Sequence, residues 1–116
     1  MLPDYQVFMR PLVDALRARE AATLSELRDE VCAALGLDAD ARAERIKWDG
    51  RLVLDHRLET AAETLDHAGL LARSGERWTL TETGRGELPP TLDRDALMIF
   101  PEFARYMEDF RARRGA

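Results

Sequence analysis

Apolar residues near the start of the chain recur at intervals of three and four positions, which places their side chains on one face of a helix. This spacing predicts a first helix from about Asp4 to Arg19. Its apolar face consists of Tyr5, Phe8, Met9, Leu12, Val13 and Leu16. Pro11 lies inside this helix and lacks an amide hydrogen, so we expect a bend near Val7.

A second helix is predicted to begin at Thr23 and to end just before Gly36. Thr23 and Glu26 have the spacing of a capping box, and a glycine often follows the last turn of a helix. A short helix from about Ala39 to Arg45 follows Asp38, which is a suitable N-terminal cap.

The longest predicted helix, which we call the central helix, begins at about Leu52 and ends before Gly69. A turn at Trp48-Asp49-Gly50 precedes it. Its apolar side chains recur at helical spacing: Leu54, Leu58, Ala61, Ala62, Leu65 and Ala68.

Two short strands are predicted directly after the central helix, Leu70 to Arg73 and Arg77 to Leu80, joined by Ser74-Gly75-Glu76. Thr81 is expected to cap a short helix that Pro89-Pro90 ends. A helix followed by a tight hairpin is typical of a winged helix, in which the hairpin is the wing. The predicted fold class is therefore mostly α with a small β-hairpin wing, a winged helix-turn-helix domain of residues 1–90.

Residues 91–116 are predicted to form a C-terminal helical extension, from about Asp93 to Arg114, that Pro101 breaks or restarts. It carries an apolar stripe of Phe100, Phe103, Met107 and Phe110. Because an exposed apolar face needs a partner, the stripe either packs against the first helix or forms the interface of a homodimer. Both alternatives stay open, and the four residues are the predicted dimerisation residues.

The composition, with 46% hydrophobic and 34% charged residues, is typical of a globular domain. No apolar run approaches the ~20 residues that cross a membrane, and Met1 is not followed by the basic and apolar segments of a signal peptide. We therefore expect a cytoplasmic protein without membrane contacts. Cys32 shares the spacing of nearby apolar residues and is expected in the core.

A line of polar residues on the central helix lies opposite its apolar face and is predicted to bind DNA: Arg57, Thr60, Thr64 and His67. Arginine can read guanine, and threonine can contact base edges or phosphates. The alternative is an ordinary solvated surface.

Beside this line, Glu59, Glu63 and Asp66 also point outward. A carboxylate close to a phosphate costs on the order of 1 kcal/mol in water, and the net charge of −5 also opposes a polyanion. A carboxylate can nevertheless accept a hydrogen bond from a cytosine amino group. The acidic residues otherwise suggest a basic protein partner.

The wing arginines Arg73 and Arg77 flank the hairpin turn and are predicted to contact the DNA backbone or minor groove. Trp78 shares a strand face with Leu80 and is expected in the core. A small basic patch precedes the central helix, with Arg42, Arg45, Lys47 and Arg51 outnumbering Glu44 and Asp49. It is either a clamp on the DNA backbone, in which Arg51 is the predicted contact, or an ordinary charged loop.

The sequence predicts no catalytic residues, no metal site and no cofactor. Glu63 and His67 are one helical turn apart, as metal ligands can be. However, His56 and His67 lie about 16 Å apart along a helix that rises about 1.5 Å per residue, so they cannot chelate one ion.

Six short motifs follow one another along the chain: Leu2-Pro3-Asp4-Tyr5-Gln6, Pro11-Leu12, Leu37 to Arg45, Asp55-His56-Arg57, Ala68-Gly69-Leu70-Leu71 and Leu80-Thr81-Glu82-Thr83-Gly84-Arg85. In this order and spacing they resemble the amino-terminal winged-helix domain of Mrr-type restriction endonucleases, over roughly residues 2–88. The resemblance implies a DNA-binding module that, in the full enzymes, precedes a nuclease domain acting on modified DNA.

Two departures from that family matter. Its nuclease domains resemble other restriction enzymes in using an acidic residue followed by a Glu-or-Gln-x-Lys pair, whereas Lys47 is the only lysine here and lies in a loop. The family also tends to carry lysines and aromatic residues in the central helix. This chain has instead Thr60, Ala62, Glu63, Thr64, Asp66 and His67. Family contacts with DNA are therefore carried over only at Arg57.

The leading hypothesis is a stand-alone, non-enzymatic winged-helix protein that binds duplex DNA as a homodimer. It would act as a regulator or as the targeting module of a restriction or defence system. The alternative is a protein-interaction module that has kept the fold and lost DNA binding, with its partner at Glu59, Glu63 and Asp66.

Overall fold

The computed structural model describes residues 2–115. Its elements, in chain order, are a 3-10 turn Tyr5–Phe8, α1 Met9–Arg17, β1 Ala22–Thr23, α2 Leu24–Leu35, α3 Ala39–Ala43, α4 Val53–His67, β2 Leu71–Ser74, β3 Arg77–Leu80, α5 Glu82–Arg85, α6 Arg94–Leu97 and α7 Pro101–Gly115. The central helix is α4. Within residues 2–115, no helix is both long and apolar enough to span a membrane.

The three strands form one antiparallel sheet in the order β1-β3-β2. Strands β2 and β3 are the predicted wing, and Gly75 takes a left-handed conformation with φ of +62° in their tight turn. Strand β1 pairs Ala22 with Trp78 and was not predicted, because two residues are too few to show a periodicity. With 60% helix and this small sheet, the structure confirms a mostly α winged helix with an added C-terminal helix.

The start of the chain differs from its prediction as one helix with a bend near Val7. Asp4 accepts a hydrogen bond from the amide of Gln6 at 3.1 Å and begins a separate 3-10 turn, after which α1 starts at Met9. Pro11 then falls in the first turn of α1, where amide groups have no partner within the helix. It therefore costs no hydrogen bond, and the predicted cause of a bend is absent.

The predicted helix caps are confirmed. The hydroxyl of Thr23 accepts from the amide of Glu26, and the Glu26 carboxylate accepts from the amide of Thr23, both at 3.1 Å. Gly36 ends α2 with φ of +65°. Asp38 caps α3 and Thr81 caps α5 in the same way.

We expect Thr23→Ala to lower the free energy of unfolding by about 1 kcal/mol, because the amide of Glu26 loses its acceptor. Urea unfolding followed by circular dichroism measures the change. Thr91→Ala, at an exposed position between α5 and α6, is the control and should have little effect. Equal stability of the two variants would contradict a stabilising capping box.

Buried side chains from all parts of the chain form one core. They include Phe8, Leu12, Leu16, Leu27, Leu54, Leu58, Leu65, Leu71, Trp78, Leu97 and Phe103. Cys32 and Trp78 lie in the core as predicted. Because Leu97 and Phe103 join the same core, α6 and α7 pack onto the residues before them. The boundary after residue 90 stays a prediction.

The apolar stripe of α7 is used within the chain, where the helix packs on α4 and lines a cavity together with Tyr5 of the 3-10 turn. Phe103 is fully buried, and Phe100 and Met107 are half-buried against the core. Phe110, at 38%, is the exposed member of the four. The prediction of a dimer interface is therefore wrong for Phe103, because the core of the same chain already buries this side chain. A homodimer itself stays a prediction that sedimentation can test.

Candidate nucleic-acid interface

Helix α4 has one face in the core and one face at the surface. Leu54, Leu58, Ala61, Ala62 and Leu65 are buried. His56, Glu63, Asp66 and His67 are exposed on the other side, and Glu59 is half-buried beside the wing. The face of α4 that a winged helix would present to a ligand is therefore rich in carboxylates.

Arg57 does not project into solvent as the prediction of an exposed line required. Its guanidinium donates to the backbone carbonyls of Leu2 at 2.6 Å and Pro3 at 2.5 Å, and its side chain is half-buried. These bonds satisfy carbonyls that precede the first 3-10 turn. In this structure Arg57 thus holds the beginning of the chain against α4.

The two threonines of the predicted line turn back to their own helix. Thr60 donates to the carbonyl of His56 at 2.9 Å, and Thr64 donates to that of Thr60 at 2.7 Å. Such bonds are common for threonine within helices and leave its hydroxyl hydrogen already used.

Helix α7 lies over the end of the same line. The imidazole of His67 stacks on the ring of Tyr106, with centroids 3.8 Å apart and planes 11° apart. Thr64 lines a small cavity between α4 and α7 together with Tyr5, Phe103 and Met107. The expectation of one fully exposed line is therefore wrong, because Arg57, Thr60 and Thr64 are half-buried and Tyr106 of α7 stacks on His67. Contact of these four residues with DNA stays a prediction.

Glu59 and Glu63 lie one turn apart on α4, and both carry a carboxyl group. Partial burial, together with the neighbouring Glu59 carboxyl, raises the pKa of Glu63, while Arg73 and His67 act in the opposite direction. Two carboxylates one helical turn apart repel each other, so this position favours the protonated form of Glu63.

Glu63→Gln is expected to raise the free energy of unfolding at pH 7 by roughly 0.3 kcal/mol, since it removes a like-charge pair at i,i+4 spacing. The raised pKa means that protonated Glu63 favours folding. This contribution is fully present below its unfolded pKa of 4.5 and is lost as pH rises through the folded pKa. The increase in the free energy of unfolding of the Glu63→Gln variant should consequently disappear below about pH 4.

Urea unfolding at pH 4 and pH 7 measures this dependence, with Glu87→Gln in the exposed loop after α5 as the control. A stabilisation of the Glu63 variant that is the same at both pH values would contradict the argument.

The wing keeps both of its arginines at the surface. Arg73 donates to the carbonyl of Gly75 at 2.9 Å, and its guanidinium lies 5.2 Å from the ring centroid of Trp78. Arg77 donates to the carbonyl of Ala21 at 3.1 Å and pairs loosely with Glu26 at 3.4 Å. These contacts orient the two side chains without removing them from solvent, so both stay available to an anion.

A second group of exposed cations lies directly before α4, in a segment that we call the basic loop, residues 44–52. Arg45, Lys47 and Arg51 are all exposed there. Arg51 pairs with Asp49 at 3.6 Å and contacts the imidazole of His56 at 3.0 Å. Arg42, which the sequence placed in the same patch, is instead paired with Asp29 on α2.

Trp48 at the tip of the basic loop is a candidate functional residue that the sequence analysis missed. It was interpreted only as part of a turn, yet it is 87% exposed. The signal was present in the sequence as a tryptophan between a lysine and an Asp-Gly turn, where no apolar periodicity gives it a place in the core.

A helix-turn-helix followed by a wing, with exposed cations on the wing and before α4, defines a winged-helix protein. A family model described as the Mrr N-terminal domain matches residues 5–89. The chain therefore belongs to the Mrr N-terminal domain family, which confirms the predicted resemblance. No curated protein and no solved structure is significantly similar to the chain.

Proposed function

We propose that this chain is a non-enzymatic DNA-binding module related to restriction systems. It contacts the backbone of duplex DNA through the basic loop and the wing. The observation that carries the proposal is the exposure of five cations in the segments directly before and after α4: Arg45, Lys47, Arg51, Arg73 and Arg77. Arginine and lysine contacts to phosphates supply most of the affinity of such proteins and fix their position on the duplex.

This arrangement gives α4 a smaller part in binding than a winged helix usually assigns to it. Arg57 is engaged by two carbonyls, and His67 is stacked on Tyr106. Contacts of DNA with the guanidinium of Arg57 or with the stacked face of His67 require that these interactions are given up. The basic loop and the wing need no such rearrangement.

The non-enzymatic part of the proposal rests on the sequence. The nuclease domains of Mrr-type enzymes resemble those in which carboxylates hold a metal ion and a lysine assists the attacking water. Here the single lysine, Lys47, lies in the basic loop. The matched family model is likewise an N-terminal domain.

The test is binding of a fluorescein-labelled duplex of about 20 base pairs, measured by anisotropy between roughly 0.05 and 0.3 M NaCl. Several phosphate contacts predict a log–log dependence of the association constant on salt that is steeper than about −3. A flat dependence, or no binding at about 0.15 M NaCl, would contradict the proposal.

The acidic face favours a second candidate function, a protein-interaction module. Glu59 and Glu63 lie one helical turn apart, and no ion pair among residues 2–115 involves either of them or Asp66. A basic protein partner would relieve their repulsion. Replacement of all three with lysine should then abolish the partner complex, and an unchanged complex would contradict this function.

A further inference from the structure

The exposed indole of Trp48 lies in a turn that backbone hydrogen bonds close. The amide of Gly50 donates to the carbonyl of Ile46 at 2.9 Å. The amide of Ile46 donates to the carbonyl of Arg51 at 2.8 Å. Gly50 adopts φ of +73°, which permits the tight reversal. These bonds restrain the backbone on both sides of Trp48, which lowers the backbone entropy that binding would cost.

Trp48 contributes little to the fold, because an 87% exposed side chain buries almost no area. The other tryptophan, Trp78, is 2% exposed and belongs to the core. A large aromatic side chain at the tip of a hydrogen-bonded loop instead provides a flat surface for a ligand.

The charges around Trp48 indicate the chemistry of that ligand. Arg45, Lys47 and Arg51 are exposed on the same loop. The carboxylate of Asp49 accepts a hydrogen bond from the amide of Arg51 and pairs with its guanidinium. No ion pair among residues 2–115 includes Lys47. An aromatic ring beside cations fits a ligand that has both a flat face and negative charge.

We propose that Trp48 stacks on an unpaired base of DNA while the cations of the basic loop contact the adjoining phosphates. This inference rests on the proposed function and extends it to a preference for DNA in which a base has left the stack. Stacking of a base on an aromatic side chain accepts any base, because every base has a π face. A fully paired duplex offers Trp48 no such face without unstacking.

The experiment compares two labelled duplexes of the same sequence, one fully paired and one with a single-nucleotide bulge. Affinities are measured by anisotropy for the wild-type protein, Trp48→Phe and Trp48→Leu. Leucine keeps an apolar side chain but has no aromatic ring, so it separates stacking from general apolar contact. Equal urea midpoints show that the variants are folded, as the exposure of Trp48 predicts.

The wild-type protein should bind the bulged duplex roughly 10-fold more tightly than the paired one. Trp48→Leu should lose this preference and bind the two duplexes with equal affinity, whereas Trp48→Phe should retain part of the preference. Emission of the wild-type protein should also be quenched by the bulged duplex, and Trp48→Phe, in which only buried Trp78 emits, should not respond.

The outcomes that would overturn the inference can be distinguished from one another. Wild-type binding to both duplexes without a preference, or a preference that persists in Trp48→Leu, would remove the role of Trp48 and leave DNA binding intact. Failure of the wild-type protein to bind either duplex would remove the proposed function itself.

Discussion

Replacing Gly84 with alanine is expected to destabilise the protein by roughly 3 kcal/mol, because its β-carbon would overlap backbone atoms. A β-carbon built on Gly84 would lie 2.1 Å from the carbonyl oxygen of Leu70 and 3.0 Å from its carbon. That carbonyl also accepts a hydrogen bond from the amide of Thr81 at 3.0 Å, so it cannot move aside freely. Urea unfolding monitored by circular dichroism measures the loss.

Gly115→Ala is the matched control, since nothing lies within 4 Å of a β-carbon built there. Its stability should stay within about 0.5 kcal/mol of the wild type. A Gly84→Ala variant as stable as the Gly115→Ala control would contradict the close contact in the structure. It would show that the wing and α5 can separate without cost.

The sequence predicted those features that neighbouring residues determine. The capping box of Thr23 and Glu26 involves two residues three positions apart, and the wing turn depends on Gly75 alone. Thr81 caps α5 and also donates to the carbonyl of Gly69 at 2.6 Å, which explains physically why the Thr-x-x-Gly order follows the wing.

The sequence did not predict the surroundings of the candidate site, because distant residues determine them. Arg57 is hydrogen-bonded to Leu2 and Pro3, which precede it by 55 and 54 positions, and no local pattern in the sequence indicates these bonds. Helical spacing correctly identifies the side of α4 that faces away from its core stripe. It does not indicate that Tyr106 of α7 stacks on His67 at that side.

The exposure of Trp48 could not be predicted for a related reason. Tryptophans are usually largely buried, and the sequence alone gives no measure of whether a loop folds back onto the domain. The hydrogen bonds that close the basic loop direct its tip outward, and these bonds join backbone groups whose positions the side-chain sequence does not specify.

Under the proposed function, negative and positive charges on different parts of the winged helix would act differently on DNA. Phosphates would be repelled by Glu59 and Glu63 at the middle of α4 and attracted by the basic loop and the wing. A module of this kind should recognise the path of the backbone more than the sequence of bases, because phosphate contacts carry no direct sequence information.

The combined variant Lys47→Gln, Arg73→Gln and Arg77→Gln is therefore expected to weaken duplex binding by roughly 100-fold at about 0.1 M NaCl. The log–log slope of its association constant against salt concentration should become less steep by about three, one for each lost phosphate contact. The control replaces Arg111, Arg113 and Arg114 at the end of α7 with glutamine.

Both triple variants have a net charge of −8, since three cations are removed from a chain of net charge −5. General repulsion between protein and DNA therefore changes equally in the two. A much larger loss in the first variant would support binding through the basic loop and the wing. Equal losses would contradict it, because they would show that affinity follows net charge and that no particular surface contacts the duplex.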